Sequence, residues 1–188
     1  MLTYIEEFKT YVAIAGFRNV RIKNARQFLE KISREKPAEV ETQFFDASFI
    51  ATWQHLYFAV LNALSAFKNR KSISKSLAME IMLYASAQGQ IHKATESIGI
   101  SSKSTEVAAV IVGKRQKDVN SALSITAELI NAKQDDAVLE FSNGKAKAVQ
   151  KIFGISEIEA KTVMKGSNFE NALVDLVIER MALLATRH

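Results

Sequence analysis

At Val107–Val112 the chain reads VAAVIV: six apolar residues in a row, four of them β-branched, with Glu106 before them and Gly113 after. Such a run, bounded by charge and glycine, reads as a strand covered on both faces. The segments on either side must therefore supply its neighbours and covers. TYVAIAGF (Thr10 to Phe17) is short, rich in β-branched and aromatic residues and stopped by Gly16, so it reads as a second strand. VETQFFDASFI (Val40 to Ile50) carries enough β-formers for another, and so does AVLEF (Ala137 to Phe141).

Helical periodicity fills the remainder. Asn24 can cap a helix whose third position is Gln27, with Phe28, Leu29 and Ile32 on its apolar side, and Pro37 marks the loop beyond. From Thr52 to Asn69, Trp53, Leu56, Tyr57, Val60, Leu64 and Phe67 recur at three- and four-residue spacing. Because they share one face, these aromatic residues read as core in preference to base-stacking platforms. His55, Asn62 and Asn69 fall on the opposite, polar face. Further helices run from Ser76 to about Gly89, Ile91 to Ile98, Gln116 to Ala132, Lys145 to Phe153, onward from Ser156, and Glu170 to Ala185. Interleaved strands and helices without a linker or repeat predict a mixed α/β (α+β) fold, one domain over residues 1–188 with a small sheet flanked by several helices. Sheet order is not encoded in such a pattern.

Composition agrees with a folded chain. Hydrophobic residues make up 48% and charged residues 24%, with one proline, seven glycines and no cysteine. Disulfides, thiolate metal sites and a cysteine nucleophile are thereby excluded. No apolar run is long enough to cross a membrane, and acids stand in MLTYIEEFK where a leader wants cations, so the expected location is cytoplasmic. The net charge of +5 is unevenly placed: Ala47–Lys117 holds nine Lys and Arg against three acids. That surplus reads either as a polyanion footprint, if the fold gathers it, or as an ordinary solvated surface.

Motifs that would carry catalysis are missing. There is no phosphate-binding glycine loop, no G-x-S-x-G elbow, and His55, His92 and His188 have no metal-ligand spacing. The expectation is a chain that is not an enzyme and holds no metal. Two features instead concern charge in apolar surroundings. Glu80 lies in LAMEIMLYA (Leu77 to Ala85), a helix apolar nearly all round, and must be paired, protonated or at a rim. In the last helix, Leu173, Leu176, Val177, Leu183 and Leu184 form one apolar stripe, with Arg180 inside it. Val174, Ile178, Met181 and Ala185 form a second stripe beside the first. The second stripe is either a docking surface or the buried side of a helix sunk in its own fold.

The stretches VRIKNARQFLEKI, KSISKSLAMEIMLYASAQGQIHKATESIGI, VAAVIV and VIERMALL together resemble one family across nearly the whole chain. It is the small kinase-binding subunit of the KEOPS complex, called the PRPK-binding protein in animals, here of archaeal type. The resemblance implies a mixed α/β fold and a non-catalytic subunit. Such a subunit docks on and stimulates a kinase-like ATPase subunit and helps recruit tRNA by its single-stranded 3′ CCA end. The complex adds threonylcarbamoyl to the adenosine beside the anticodon. No cofactor, membrane or small-molecule substrate is implied. On this reading Val174, Ile178, Arg180, Met181 and Ala185 face the kinase-like partner. Lys68, Arg70, Lys71, Lys75, Ser86, Gln88, Gln90 and Lys93 form the tRNA site, the cations on phosphates and the polar side chains on base edges. Many archaeal-type members carry arginine where this chain has Gly89, so a cation contact there is absent or supplied by Lys93. A stand-alone basic RNA-binding module is the competing reading, and it leaves the second stripe unexplained.

Overall fold

The run at Val107–Val112 forms the body of β4 (Glu106–Gly113), whose six apolar residues are each at most 3% exposed. In the computed structural model, which describes residues 1–164, 168–184 and 186, β4 lies inside a four-stranded antiparallel sheet. It pairs on one side with β2 (Thr10–Arg18) and on the other with β3 (Val40–Asp46), in the registers Ala13↔Ile111 and Phe44↔Ala109. An edge strand not anticipated from the sequence, β1 (Leu2–Ile5), completes the order β1-β2-β4-β3, with the Tyr4 ring 4.7 Å from that of Tyr11.

The fold is mixed α/β, as expected, and the chain forms two compact units: residues 1–47 with 99–138, and 48–98 with 139–188. In the first unit, the two-residue period of the strands sends Ala15, Phe17, Phe44, Val107 and Ala109 to one face. There they pack with Ile32 of α1 (Ala25–Glu35) and Ile130 of α5 (Gln116–Ile130). On the same face Ala13, Val40 and Ile111 meet Val119 and Ala122 of α5. Helix α1 starts where its cap predicts: the Asn24 side chain accepts from the Gln27 N–H at 3.0 Å.

The strand expected at Ala137–Phe141 is absent; a 3-10 turn spans Asp136–Leu139 instead. Two carboxylates override the β-propensity of the apolar residues. Asp135 accepts from the Ala137 N–H at 3.1 Å, closing a tight local turn, and Asp136 accepts from the Gly16 N–H at 2.9 Å. Asp135 is also held by Arg18 at 2.7 Å, which keeps its carboxyl below the usual range, and Arg18 reaches Glu106 at 2.8 Å.

The second unit is helical. It comprises α2 (Trp53–Lys68), α3 (Leu77–Ser86), α4 (Ile91–Ile98), α6 (Asn143–Phe153), α7 (Glu157–Val163) and α8 (Phe169–Leu184). Helix α3 packs against α2, α4 and α8, and seven consecutive residues, Glu80 to Ser86, are buried. That matches the expectation of a helix enclosed nearly all round. Val149, Phe153, Ala160, Leu173, Leu176 and Val177 form the core under α8.

The apolar stripe of α2 is rotated from the one expected. Leu56, Val60 and Leu64 are buried, whereas Trp53 is 38% exposed and His55, assigned to the polar face, has no exposed surface. The backbone explains the correction: the Ala51 N–H donates to Nδ1 of His55 at 3.2 Å and the Ala85 carbonyl lies 2.7 Å from Nε2. A ring satisfied at both nitrogens buries at little polar cost, and Phe153 meets it edge-on at 5.4 Å. Among the described residues, no helix is long and apolar enough to cross a membrane.

Candidate functional site

The basic residues expected to meet a polyanion begin where α2 stops. Arg70 adopts the left-handed conformation (φ 56°), its N–H bonds to the Phe67 carbonyl at 3.2 Å, and the Lys71 N–H bonds to Ala66 at 2.9 Å. These two bonds form a Schellman motif with arginine where glycine is usual. Beyond it, the buried Glu80 side chain reaches back to the loop. One carboxylate oxygen accepts from the Ile73 N–H at 3.1 Å and the other from the Ser74 N–H at 2.7 Å. Ser76 then caps α3, accepting from the Met79 N–H at 3.4 Å.

The loop is thus tied down at both ends although it has no regular secondary structure. Arg70, Lys71 and Lys75 project from it into solvent, and Lys68 is exposed just before it. Among the described residues, Arg70, Lys71, Lys75 and Lys93 have no acidic partner. The carboxylate that sequence left without a partner therefore neither meets Arg180 nor sits free. It organises the backbone that presents the cations.

The polar residues expected beside them lie elsewhere. Ala87 ends α3 in a second left-handed cap (φ 52°), its N–H on the Tyr84 carbonyl at 2.9 Å and that of Gln88 on Leu83 at 3.1 Å. Ser86 is buried and donates its hydroxyl to the Leu83 carbonyl at 3.1 Å, so it offers nothing to a ligand. Gln88 is half-buried, while Gln90 and Lys93 are exposed. The loop cations and the Gln88–Lys93 group thus stand at opposite ends of α3, roughly 15 Å apart for ten residues at 1.5 Å each. They form two patches, and one extended ligand is needed to reach both.

Helix α8 separates the residues expected to face a partner. Met181 is fully buried and has no surface for docking. Val174 and Ile178 are half-buried, with Val174 packed against the core of its own unit. Arg180 pairs with Glu159 of α7, so its position within an apolar stripe is satisfied internally. Ala185 lies outside the described residues. Apolar exposure appears instead at Leu183 (38%), read as core, and at Ile158 and Val163 of the adjacent α7, which were not singled out. Ile158 is 79% exposed; flanked by two glutamates in a seven-residue helix, it left no periodic signal to find.

Chemically the surface can grip anions and apolar side chains. Among the described residues no group of three or more His, Asp or Glu side chains is arranged to hold a metal ion. Comparison with known proteins assigns the chain. Residues 17–185 match the family model described as "Kinase binding protein CGI-121". A relative named "Regulatory protein Cgi121" from Methanocaldococcus jannaschii is 32% identical over 171 residues, 91% of this chain and 95% of that protein. With the family match running from β2 to the end of α8, this chain belongs to the CGI-121 family of kinase-binding proteins.

Proposed function

We propose that this protein is the non-catalytic, cytoplasmic subunit of a KEOPS complex. In that role it docks on and stimulates the kinase-like ATPase subunit. It also helps bring tRNA, held by its 3′ CCA end, to the threonylcarbamoylation of the adenosine beside the anticodon. The kinase half of the reading is supported by the family match and by the name of the archaeal relative. The RNA half is carried by one observation: a loop of cations, Arg70, Lys71 and Lys75, without acidic partners among the described residues and tied by two backbone hydrogen bonds to the buried Glu80 carboxylate. Rigid presentation lowers the ordering cost of binding a polyanion, and phosphate contacts make the affinity fall as salt rises.

Pull-down of the tagged protein from native extract, with and without nuclease, tests both halves at once. A kinase-like protein retained after nuclease, with tRNA lost, is the expected result. Capture of RNA with no kinase-like protein would replace this reading with that of a stand-alone RNA-binding module. Val174, Ile178 and Arg180 remain the proposed partner-facing side of α8, with Met181 beneath them in the core and Ile178 half-buried. Ile178→Glu places a charge in an apolar contact and should abolish co-purification of the kinase-like subunit while the fold is retained. Undiminished binding would move the interface off this face.

A further inference from the structure

The sheet unit carries cations of its own, at the end of the sheet where β2 stops and β4 starts. Beyond Arg18 the exposure alternates: Val20 and Ile22 are buried in one cluster with Phe17 and Ile32, while Arg21 and Lys23 are exposed. Alternation of this kind belongs to extended backbone, so the two cations leave the same side of the chain roughly 7 Å apart. The Val20 N–H fixes this segment to the loop before β4, donating to the Thr105 carbonyl at 2.8 Å. That loop is itself closed: the Ser101 N–H donates to Ser104 Oγ at 3.0 Å, and the Ser104 hydroxyl donates to Asp46 at 2.5 Å. Lys103 is exposed on it, with its own N–H on Ser101 Oγ at 3.2 Å.

The acids at this end are already engaged. Asp46 is buried under the Ser104 hydroxyl, and Glu106 and Asp135 both hold Arg18, at 2.8 and 2.7 Å. The Asp135 carboxyl is held down first by its Arg18 hydrogen bond and least by the charge of Lys133. Arg18 and Lys133 thus balance Glu106 and Asp135, and Arg26 is paired with Glu30 at 2.9 Å. Arg21, Lys23 and Lys103 have no acidic partner among the described residues. Uncompensated positive charge therefore stands on two loops that hydrogen bonds join. Its exposed surroundings, Asn19, Asn24, Ser101, Ser102 and Thr105, are small and polar, with no aromatic ring among them.

We infer that the two loops form a contact for the sugar–phosphate backbone of an RNA helix, separate from the cation loop at the end of α2. The step from Arg21 to Lys23 is close to that between neighbouring phosphates on one strand. Hydroxyls and carboxamides beside the cations can meet phosphate oxygens and ribose 2′-hydroxyls, the groups by which a double-stranded RNA is held without its bases being read. A single strand is the poorer fit, because its unstacked bases call for aromatic platforms and these loops have none. The inference rests on the RNA reading above and adds a contact that lies wholly within residues 1–47 and 99–138.

The test uses the full chain and two probes, a blunt-ended RNA duplex and a short single-stranded RNA oligonucleotide ending in CCA, with affinities measured across a range of salt. Wild type is compared with the double variant Arg21→Ala, Lys23→Ala, with Lys103→Ala, and with Lys117→Ala, which removes an exposed cation at the other end of β4. All four side chains are exposed, and matching thermal midpoints confirm that the fold is kept. The expected result is that the double variant binds the duplex at least fivefold more weakly, with a salt slope lower by about two, and Lys103→Ala lowers that slope by about one. Lys117→Ala leaves duplex binding unchanged, and none of the variants alters binding of the oligonucleotide. Undiminished duplex binding by the double variant, or a wild type that binds the oligonucleotide and not the duplex, overturns the inference and leaves the RNA reading intact. Equal losses for both probes overturn a separate duplex contact. Duplex binding kept while the double variant no longer retains the kinase-like subunit reassigns the loops to a protein partner. If wild type binds neither probe, this inference and the RNA reading both fall.

Discussion

Glu80 and Ser74 are joined by a 2.7 Å hydrogen bond in which the backbone N–H of Ser74 donates to a carboxylate with no exposed surface. The other oxygen of the same carboxylate serves Ile73, so a single helical side chain holds two consecutive amides of the loop before it. Side-chain acceptance of this kind gives irregular backbone a definite course where no ladder is available.

Glu80→Gln therefore probes order in the cation loop. The amide group presents N–H where one backbone N–H needs an acceptor, so one of the two bonds is lost and a buried donor is stranded. The expected loss is about 1–3 kcal/mol, seen in thermal melts as roughly 2–4 °C for each kcal/mol in a chain of this size. Hydrogen exchange at Ile73 and Ser74 should accelerate more than exchange in α5 of the other unit. Unchanged protection at both amides would show that the loop is held by something else.

Arg70 permits charge to be removed without disturbing the fold. Its left-handed conformation costs a non-glycine residue about 1–2 kcal/mol, so Arg70→Gly should raise stability slightly while deleting one cation, whereas Arg70→Ala deletes the cation and keeps the strain. If the loop grips phosphates, both variants should weaken RNA binding equally and reduce its salt slope by about one. Ala87→Gly, at the matching cap of α3, should stabilise without altering that slope. Different RNA affinities for the two Arg70 variants would implicate loop conformation in place of charge.

His55 predicts a pH dependence. Burial is the main cause that lowers its pKa to about 4; the Ala85 carbonyl opposes the fall and the charge of Lys145 adds to it. Because Ala51 donates to Nδ1, the proton resides on Nε2 and is given to the Ala85 carbonyl. The folded form binds a proton less readily than the unfolded chain. The contribution is therefore fully present above about pH 6.5 and is lost as pH falls toward 4, with a slope approaching 1.4 kcal/mol per pH unit. Denaturant titrations between pH 7 and 4 should show a steeper loss for wild type than for His55→Gln. Parallel curves would assign the acid sensitivity to carboxylates.

Gly16 is a close backbone approach in the sheet unit, tighter than Gly113. A Cβ there would lie 2.4 Å from Val138 Cγ2 and 2.7 Å from the Asp135 carbonyl oxygen, and the latter is backbone that cannot swing aside. Gly16→Ala should destabilise by about 1–3 kcal/mol through overpacking. Gly144→Ala, whose Cβ would meet only Ser142 Oγ at 3.8 Å, serves as the tolerated control in the same denaturation assay. Equal midpoints for the two variants would mean that the turn at Asp136–Leu139 yields freely.

What the sequence by itself determined were the elements whose signal is local. The apolar run at Val107–Val112 marked a strand buried on both faces, Asn24 and Gln27 marked the start of α1, and three- and four-residue spacing marked α2 and α8. The family was legible because its motifs are continuous stretches of sequence, on α1, on the loop with α3 and α4, on β4 and on α8. Only tertiary structure decided which strands neighbour β4, that Leu2–Ile5 pairs at the sheet edge, and that Asp135 and Asp136 bend an apolar stretch into a turn. It likewise decided that His55 turns inward to Ala85, thirty residues on, that Arg180 pairs with Glu159, and that Glu80 serves the loop before its own helix. Periodicity reports only which side of an element is apolar. The partner of a buried polar group depends on which backbone atoms the fold brings within 3 Å, and that is set by packing between segments distant in sequence.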